Sequence, residues 1–227
     1  MQHGLTDYYL GYYSAYSVHS SSSCKSQHLI WAFKVNFKLR QNNLITMAKI
    51  GFITNVSTDV LMLERARKYV QGINLMVYDL KGNFKKFREF CKGADIVVAR
   101  LMGGKDVFPV EEFHKFLVEN GVHFCPFPTL YENHQELEPY CTVSAEDRRK
   151  ILKYMAFEGI ENYRNLLLFL ASKFGGEDVV YEEPKSIPWQ GIYYRGRIYG
   201  REYLEKLNPE KPTVGILFYR NWWVSGD

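Results

Sequence analysis

The sequence predicts an α/β fold: a Rossmann- or flavodoxin-like parallel sheet with flanking helices, followed by a connector and the truncated first strand of a second α/β unit. Three observations carry this. From Met47 onward, short apolar runs alternate with stretches of helical periodicity. The clearest strand candidate, Ile96-Val97-Val98-Ala99, is apolar throughout rather than alternating, as strands buried on both faces are. Helix-length crossovers between successive strands are what parallel neighbours require.

In order, a first strand, Lys49 to Thr54, leads to a polar turn, Asn55 to Asp59, where Ser57 or Thr58 is the expected helix cap. A helix to about Tyr69 follows, with Val60, Leu63, Ala66 and Val70 among the residues of its apolar face and Gly72 where a C′ glycine belongs. A strand from Ile73 to Tyr78 precedes a helix from about Phe84 to Cys91. The third strand, Asp95 to Leu101, is followed by a helix from Val110 to Asn120 that stops at Gly121, and a fourth strand, Val122 to Phe127. After a loop-rich stretch to Val143, Ser144 and Asp147 form a loose capping box for the longest helical segment. That segment runs to about Phe174 with a break expected at Gly159. The periodicity leaves the strand order open.

The last apolar run, Val214 to Tyr219, reads as a further buried parallel strand, and Ser225 and Asp227 behind it are of the types that cap a helix N-terminus. The implied division is a non-native or disordered extension over 1–46, an α/β N-terminal domain over 47–175, a connector over 176–211 and the start of a truncated second domain over 212–227. The extension is set apart by its tyrosine cluster, the Ser20–Ser23 run and the abrupt change of character at Met47.

Composition narrows the function classes. The 227 residues are 46% apolar and 16% aromatic, enough for a sizeable core. The net charge is +4, but Lys25, Lys34, Lys38 and Arg40 against Asp7 place +3 of it in the first 46 residues. The body therefore lacks the clustered positive charge that nucleic acid demands. No apolar run reaches membrane-spanning length, so neither a nucleic-acid nor a membrane partner is expected. Cys24, Cys91, Cys125 and Cys141 form no CxxC and have no zinc-type spacing with histidine, which suits reduced thiols of a cytoplasmic protein. His114, His123 and His134 likewise have no paired metal-ligand spacing, and no metal site is expected.

Two segments are candidates for chemistry. Arg100, Gly103 and Gly104 follow the third strand, on the side where open α/β sheets bind ligands. Glycines there admit a ligand or another chain close to the backbone; the other reading is a tight turn with a solvated Arg and Lys. The second, Trp189 to Arg197, combines Tyr193 and Arg195 with further aromatics. It suits either a flat, carboxylated ligand or a connector packed by its own tyrosines. Neither a phosphate loop nor a dinucleotide fingerprint is present.

Three segments together resemble one family. They are Val98-Ala99-Arg100-Leu101-Met102-Gly103-Gly104, Ile187-Pro188-Trp189-Gln190-Gly191-Ile192-Tyr193, and Pro212 to Arg220 with Trp223 and Ser225-Gly226. In order and spacing they are similar to the N-terminal region of cobaltochelatase large subunits of the CobN type, relatives of the porphyrin-binding H subunit of magnesium chelatase. The resemblance spans Met47 to Asp227. It implies a very large subunit that binds a tetrapyrrole, hydrogenobyrinic acid a,c-diamide in the aerobic cobalamin pathway, and inserts cobalt as the substrate metal. ATP and Mg would act through separate AAA+ partner subunits, with no cofactor in this chain, which alone would be inactive. Met102 stands where a histidine is expected, and Tyr194-Arg195 where His-Pro is usual. No catalytic residue is therefore carried over, and Arg100, Gly103 and Gly104 are carried as candidate cavity or interface positions. The alternatives are an independent flavodoxin-like module with a small ligand at its strand ends, or part of a magnesium or nickel chelatase large subunit.

Overall fold

Four parallel strands form the central sheet in the order β2-β1-β3-β4: β1 (Ala48–Thr54), β2 (Ile73–Tyr78), β3 (Ile96–Leu101) and β4 (His123–Pro128). The computed structural model describes residues 48–129, 134–220 and 224; the extension predicted over 1–46 lies outside the described residues. The register sets Ile50 beside Ile96 and Thr54 beside Arg100, so the C-terminal ends of β1 and β3 lie side by side. The order is of the flavodoxin type, which reverses direction between β1 and β3.

Alternation along the strands sorts the core into two layers. Ile50, Phe52, Ile96 and Val98 face helices α1 (Ser57–Ala66), α5 (Ala145–Phe157) and α6 (Ile160–Lys173). Ile53, Val97, Ala99 and Leu101 face α2 (Phe84–Cys91) and α3 (Val110–Glu119), where Phe87, Phe113 and Phe124 pack together. A short helix, α4 (His134–Leu137), follows β4.

The fourth strand continues through Pro126 to Pro128, one residue beyond the predicted end. As an edge strand it tolerates both prolines. His123 N and Thr129 N donate inward to Asp95 O and Leu101 O, so the even-numbered positions face outward and the prolines withhold no sheet hydrogen bond. The outward Phe124 N finds Thr142 Oγ1 at 2.7 Å instead.

One local expectation needs correction. The first helix begins behind Val56, without a side-chain cap from Ser57 or Thr58, and ends at Ala66, after which Arg67–Tyr69 tighten into a 3-10 turn. Thr54 takes over part of the capping, since its Oγ1 accepts from Val56 N at 3.1 Å. The last apolar run has no strand partner among the described residues. Residues 212–219 carry no strand pairing, and Val214, Ile216 and Leu217 are 88%, 82% and 100% exposed. A buried strand needs a hydrogen-bonding neighbour, and the strands of both observed sheets pair only among themselves.

The Ser144 cap forms as expected. Its Oγ accepts from Asp147 N at 3.1 Å and donates to Asp147 Oδ2 at 2.7 Å, while Asp147 Oδ1 reaches Lys173 Nζ at 3.4 Å. The cap therefore ties the start of α5 to the end of α6. Ser144→Ala is expected to cost about 1 kcal/mol, a drop of roughly 2–4 °C in a thermal melt; an unchanged midpoint would show that the cap adds nothing.

Beyond α6 the connector is docked rather than free. Asn162 on α6 receives Lys185 N on its Oδ1 at 2.9 Å and donates Nδ2 to Lys185 O at 2.8 Å. One turn on, Asn165 Oδ1 accepts from Glu182 N at 2.9 Å, and Tyr154 OH on α5 donates to Glu182 O. Two buried amides thus satisfy a strand-like backbone that has no sheet beside it.

Candidate functional site

The crevice between the ends of β1 and β3 is where this topology places ligands, and here side chains fill it. Asn55 brackets the Met102 peptide: Nδ2 donates to Met102 O and Oδ1 accepts from Met102 N, both at 2.8 Å. Beneath, the fully buried Asp59 carboxylate accepts Thr54 Oγ1 on Oδ2 at 2.9 Å. Its Oδ1 accepts Arg100 Nη1 at 2.7 Å and Tyr163 OH at 2.5 Å. Asp59 sits in the first turn of α1, where the helix dipole favours an anion. Burial pulls the Arg100 guanidinium down, but Asp59 and then Tyr163 more than offset it, and its pKa is raised overall. Burial, reinforced by Asp59, pushes the Tyr163 hydroxyl well above its ordinary range, so it stays a neutral donor.

Arg100 is therefore spent on an internal ion pair, its side chain only 11% exposed. Gly103 and Gly104 adopt φ of 105° and 62°, in the left-handed region that suits glycine. A Cβ on Gly103 would stand 2.7 Å from Val107 Cγ1, and one on Gly104 3.1 Å from Glu136 Oε2. The two glycines build the tight turn that carries the chain over the sheet edge, and Lys105 at its exposed side pairs with Glu136 at 3.3 Å.

Tyr193 belongs to a different place. The hairpin of β5 (Ile192–Tyr194) and β6 (Arg197–Tyr199) turns through Arg195 and Gly196, both at positive φ, 48° and 79°. With Trp189 and residues 213–218, it bounds a cavity of about 800 Å³. Tyr193, Tyr194 and Tyr203 supply aromatic wall, with Leu204 and Leu217 as aliphatic wall and Arg220 at one end. Arg195 sits at the tip of the turn with its guanidinium 5.2 Å from the Tyr194 ring centre. The structure brings Tyr193 and Arg195 into one hairpin and keeps Arg100, Gly103 and Gly104 in a separate group.

Arg220 is engaged on all sides. Nη1 donates to Glu158 Oε2 at 2.5 Å, Nη2 to Phe157 O at 2.7 Å and to Ile187 O at 3.5 Å, and Nε to Pro188 O at 3.2 Å. Its guanidinium lies 4.6 Å from the centre of the Trp189 ring.

The remaining candidates are structural. His114 meets Tyr140 edge to face at 5.7 Å, and His123 lies tilted against Phe174 at 5.1 Å. Among the described residues no group of three or more His, Cys, Asp or Glu side chains is placed to hold a metal ion. Cys91, Cys125 and Cys141 are free thiols. The neighbouring Cys125 pulls the Cys141 thiol below its ordinary value against the opposing effect of burial, a neighbour that sequence separation concealed. Among the described residues no helix is long and apolar enough to cross a membrane.

Asp59, Tyr163, Asn55, Glu158 and Arg220 were absent from the sequence-derived set. One signal pointed to the first of them. An arginine closing an apolar strand must find a counter-charge once buried.

Comparison with known proteins fits this architecture. Residues 152–227, which include every residue lining the cavity, match the family model for CobN/magnesium chelatase. An uncharacterized protein of Methanocaldococcus jannaschii is 42% identical over 197 residues, covering 81% of this chain and 16% of its own length. The aerobic cobaltochelatase subunit CobN of a Sinorhizobium species is 28% identical over 151 residues, covering 59% of this chain and 11% of that subunit. The catalytic subunit of cobaltochelatase from Mycobacterium tuberculosis shares the fold with a TM-score of 0.58 at 20% identity, over 79% of this chain and 14% of that one. The chain thus spans about a sixth or less of the length of these relatives, and over residues 152–227 it is CobN/magnesium chelatase-like.

Proposed function

We propose that this chain acts as part of a chelatase large subunit that binds a tetrapyrrole and takes part in inserting cobalt, the substrate metal, in cobalamin biosynthesis. In this reading it works in the cytoplasm with AAA+ subunits that hydrolyse ATP with Mg, and alone it inserts no metal. The observation that carries the reading is the aromatic-walled cavity of about 800 Å³ inside the family-matched region. Its volume is within the range of small-molecule sites, roughly 300–1,000 Å³, and flat rings such as Trp189 and Tyr193 suit a conjugated macrocycle. The name of the Sinorhizobium relative supports cobalt as the metal. A small ligand at the strand ends has less support, because Asn55, Asp59 and Arg100 occupy that crevice.

The full chain, titrated with hydrogenobyrinic acid a,c-diamide and followed by visible absorption, is expected to give a saturable shift. Trp189→Ala should weaken binding about fivefold, the loss of one stacked ring. A linear, unsaturable response from the folded wild-type chain would refute the reading.

A further inference from the structure

Between α5 and α6 the backbone takes a course that its sequence ought to resist. Glu158 has φ 58° and ψ −167°, and Gly159 has φ 84° and ψ 147°. The region Glu158 occupies is almost reserved for glycine. A second glycine would make the joint without strain, so a glutamate there calls for something that its side chain does. Its carboxylate meets Arg220, and the two side chains are only 17% and 10% exposed. The same guanidinium donates to the carbonyls of Phe157, Ile187 and Pro188 and covers one face of Trp189.

We infer that Glu158 and Arg220 form a latch that sets the shape of the aromatic cavity, with Arg220 as a positioning residue and the strained Glu158 as its anchor. Arg220 lines the cavity two residues beyond the 213–218 run, and Pro188 and Trp189, which its guanidinium contacts, line it as well. Holding both against the α5–α6 joint fixes the gap between them. Ile187 adds to the seat, since its Cδ1 lies 2.7 Å from where a Cβ on Gly159 would stand, space that glycine leaves open. Glu158 lines no part of the cavity. Any effect it has on a ligand must pass through Arg220. The guanidinium is already satisfied by one carboxylate and three carbonyls, so its role is to hold the wall rather than to bind a ligand carboxylate. A lysine keeps the charge but not the planar fork that reaches all these acceptors.

The binding arm of the test rests on the tetrapyrrole reading, and the exchange arm does not. Hydrogen–deuterium exchange is measured on the full chain for wild type, Glu158→Gln, Glu158→Gly, Arg220→Lys and the Glu158→Gln/Arg220→Lys double variant. Peptides spanning 186–194 should exchange faster in every variant, while those of the four-stranded sheet keep their protection. Glu158→Gly removes the carboxylate while relaxing the joint, so it remains folded where Glu158→Gln is strained. Hydrogenobyrinic acid a,c-diamide should bind about five- to tenfold more weakly to each single variant, and the double variant should be no weaker than the worse single one. Wild-type exchange over 186–194 in folded Glu158→Gly, or independent addition of the two single effects, would overturn the latch. If no variant, wild type included, binds the probe, the tetrapyrrole reading fails, and exchange alone decides whether the latch exists.

Discussion

Asp59→Ala is expected to cost about 3–5 kcal/mol, the usual penalty for removing one partner of a buried ion pair. At roughly 2–4 °C per kcal/mol for a chain of this size, the thermal midpoint should fall by on the order of 10 °C. The loss is large because three donors lose their acceptor together: Thr54 Oγ1, Arg100 Nη1 and Tyr163 OH all point at this one carboxylate. They come from the ends of β1 and β3 and from α6, so the vacancy reaches both the sheet and the helical layer above it. Water cannot easily replace the carboxylate, because Asp59 and Tyr163 are wholly buried. By contrast, the Lys115–Glu111 pair on α3, with side chains 68% and 66% exposed, is worth about 0.5 kcal/mol at most. Replacing the pair by apolar residues, Asp59→Leu with Arg100→Met, should be milder than Asp59→Ala alone, since no charge is then left stranded. Circular dichroism melts of the two variants decide this. If Asp59→Ala melts within about 2 °C of wild type, the network is not holding the sheet to α6.

The same network marks the boundary of what the sequence made legible. Elements whose cause is local were readable: the limits of β2 and α2 and the Ser144 cap match the residues that predicted them. Apolar period, capping chemistry and glycine positions lie within a few residues of their effect. The strand order was not readable, because parallel strands buried on both faces look alike and their neighbours are set by crossovers. Nor was the Asp59 cluster, whose members are separated by 41 and 104 positions along the chain. Arg100 was singled out by its position at a strand end, which suggested a ligand or an interface; the structure pairs it with Asp59, one strand and one helix turn away. The Val214–Tyr219 run shows the converse. Its apolar pattern is local and unmistakable, yet pairing requires a neighbour, and the described residues offer none. Pattern alone predicts the capacity to be a strand, and tertiary contact decides whether that capacity is used.

Phe113→Ala should bring a loss of similar size, about 3–5 kcal/mol, on the opposite face of the sheet. The Phe113 ring touches five others: Phe108 at 5.3 Å, Phe84 at 5.7 Å, Phe116 at 5.8 Å, Phe124 at 5.9 Å and Phe87 at 6.2 Å. These rings are anchored on α2, on α3, on β4 and in the turn before α3, so no single element can move in to close the space. Truncation would therefore leave much of the ring volume as a cavity, the costly form of a large-to-small change. Phe113→Leu keeps most of the volume and should cost less than half as much, about 1.5 kcal/mol or less. Urea unfolding should show the midpoint falling in that ranking with the slope unchanged, and equal midpoints for the two variants would contradict the hub role. Function should respond differently from stability. Ile187, which seats the cavity wall, packs into the layer on the α1, α5 and α6 side, whereas Phe113 packs into the other. On the proposed tetrapyrrole reading, Phe113→Ala below its unfolding midpoint should bind hydrogenobyrinic acid a,c-diamide no more weakly than wild type, while Arg220→Lys should bind it less well at little cost in melting. Matching losses of affinity in both would mean that the two faces of the sheet are coupled, and that the cavity is shaped by the whole core rather than by the joint between α5 and α6.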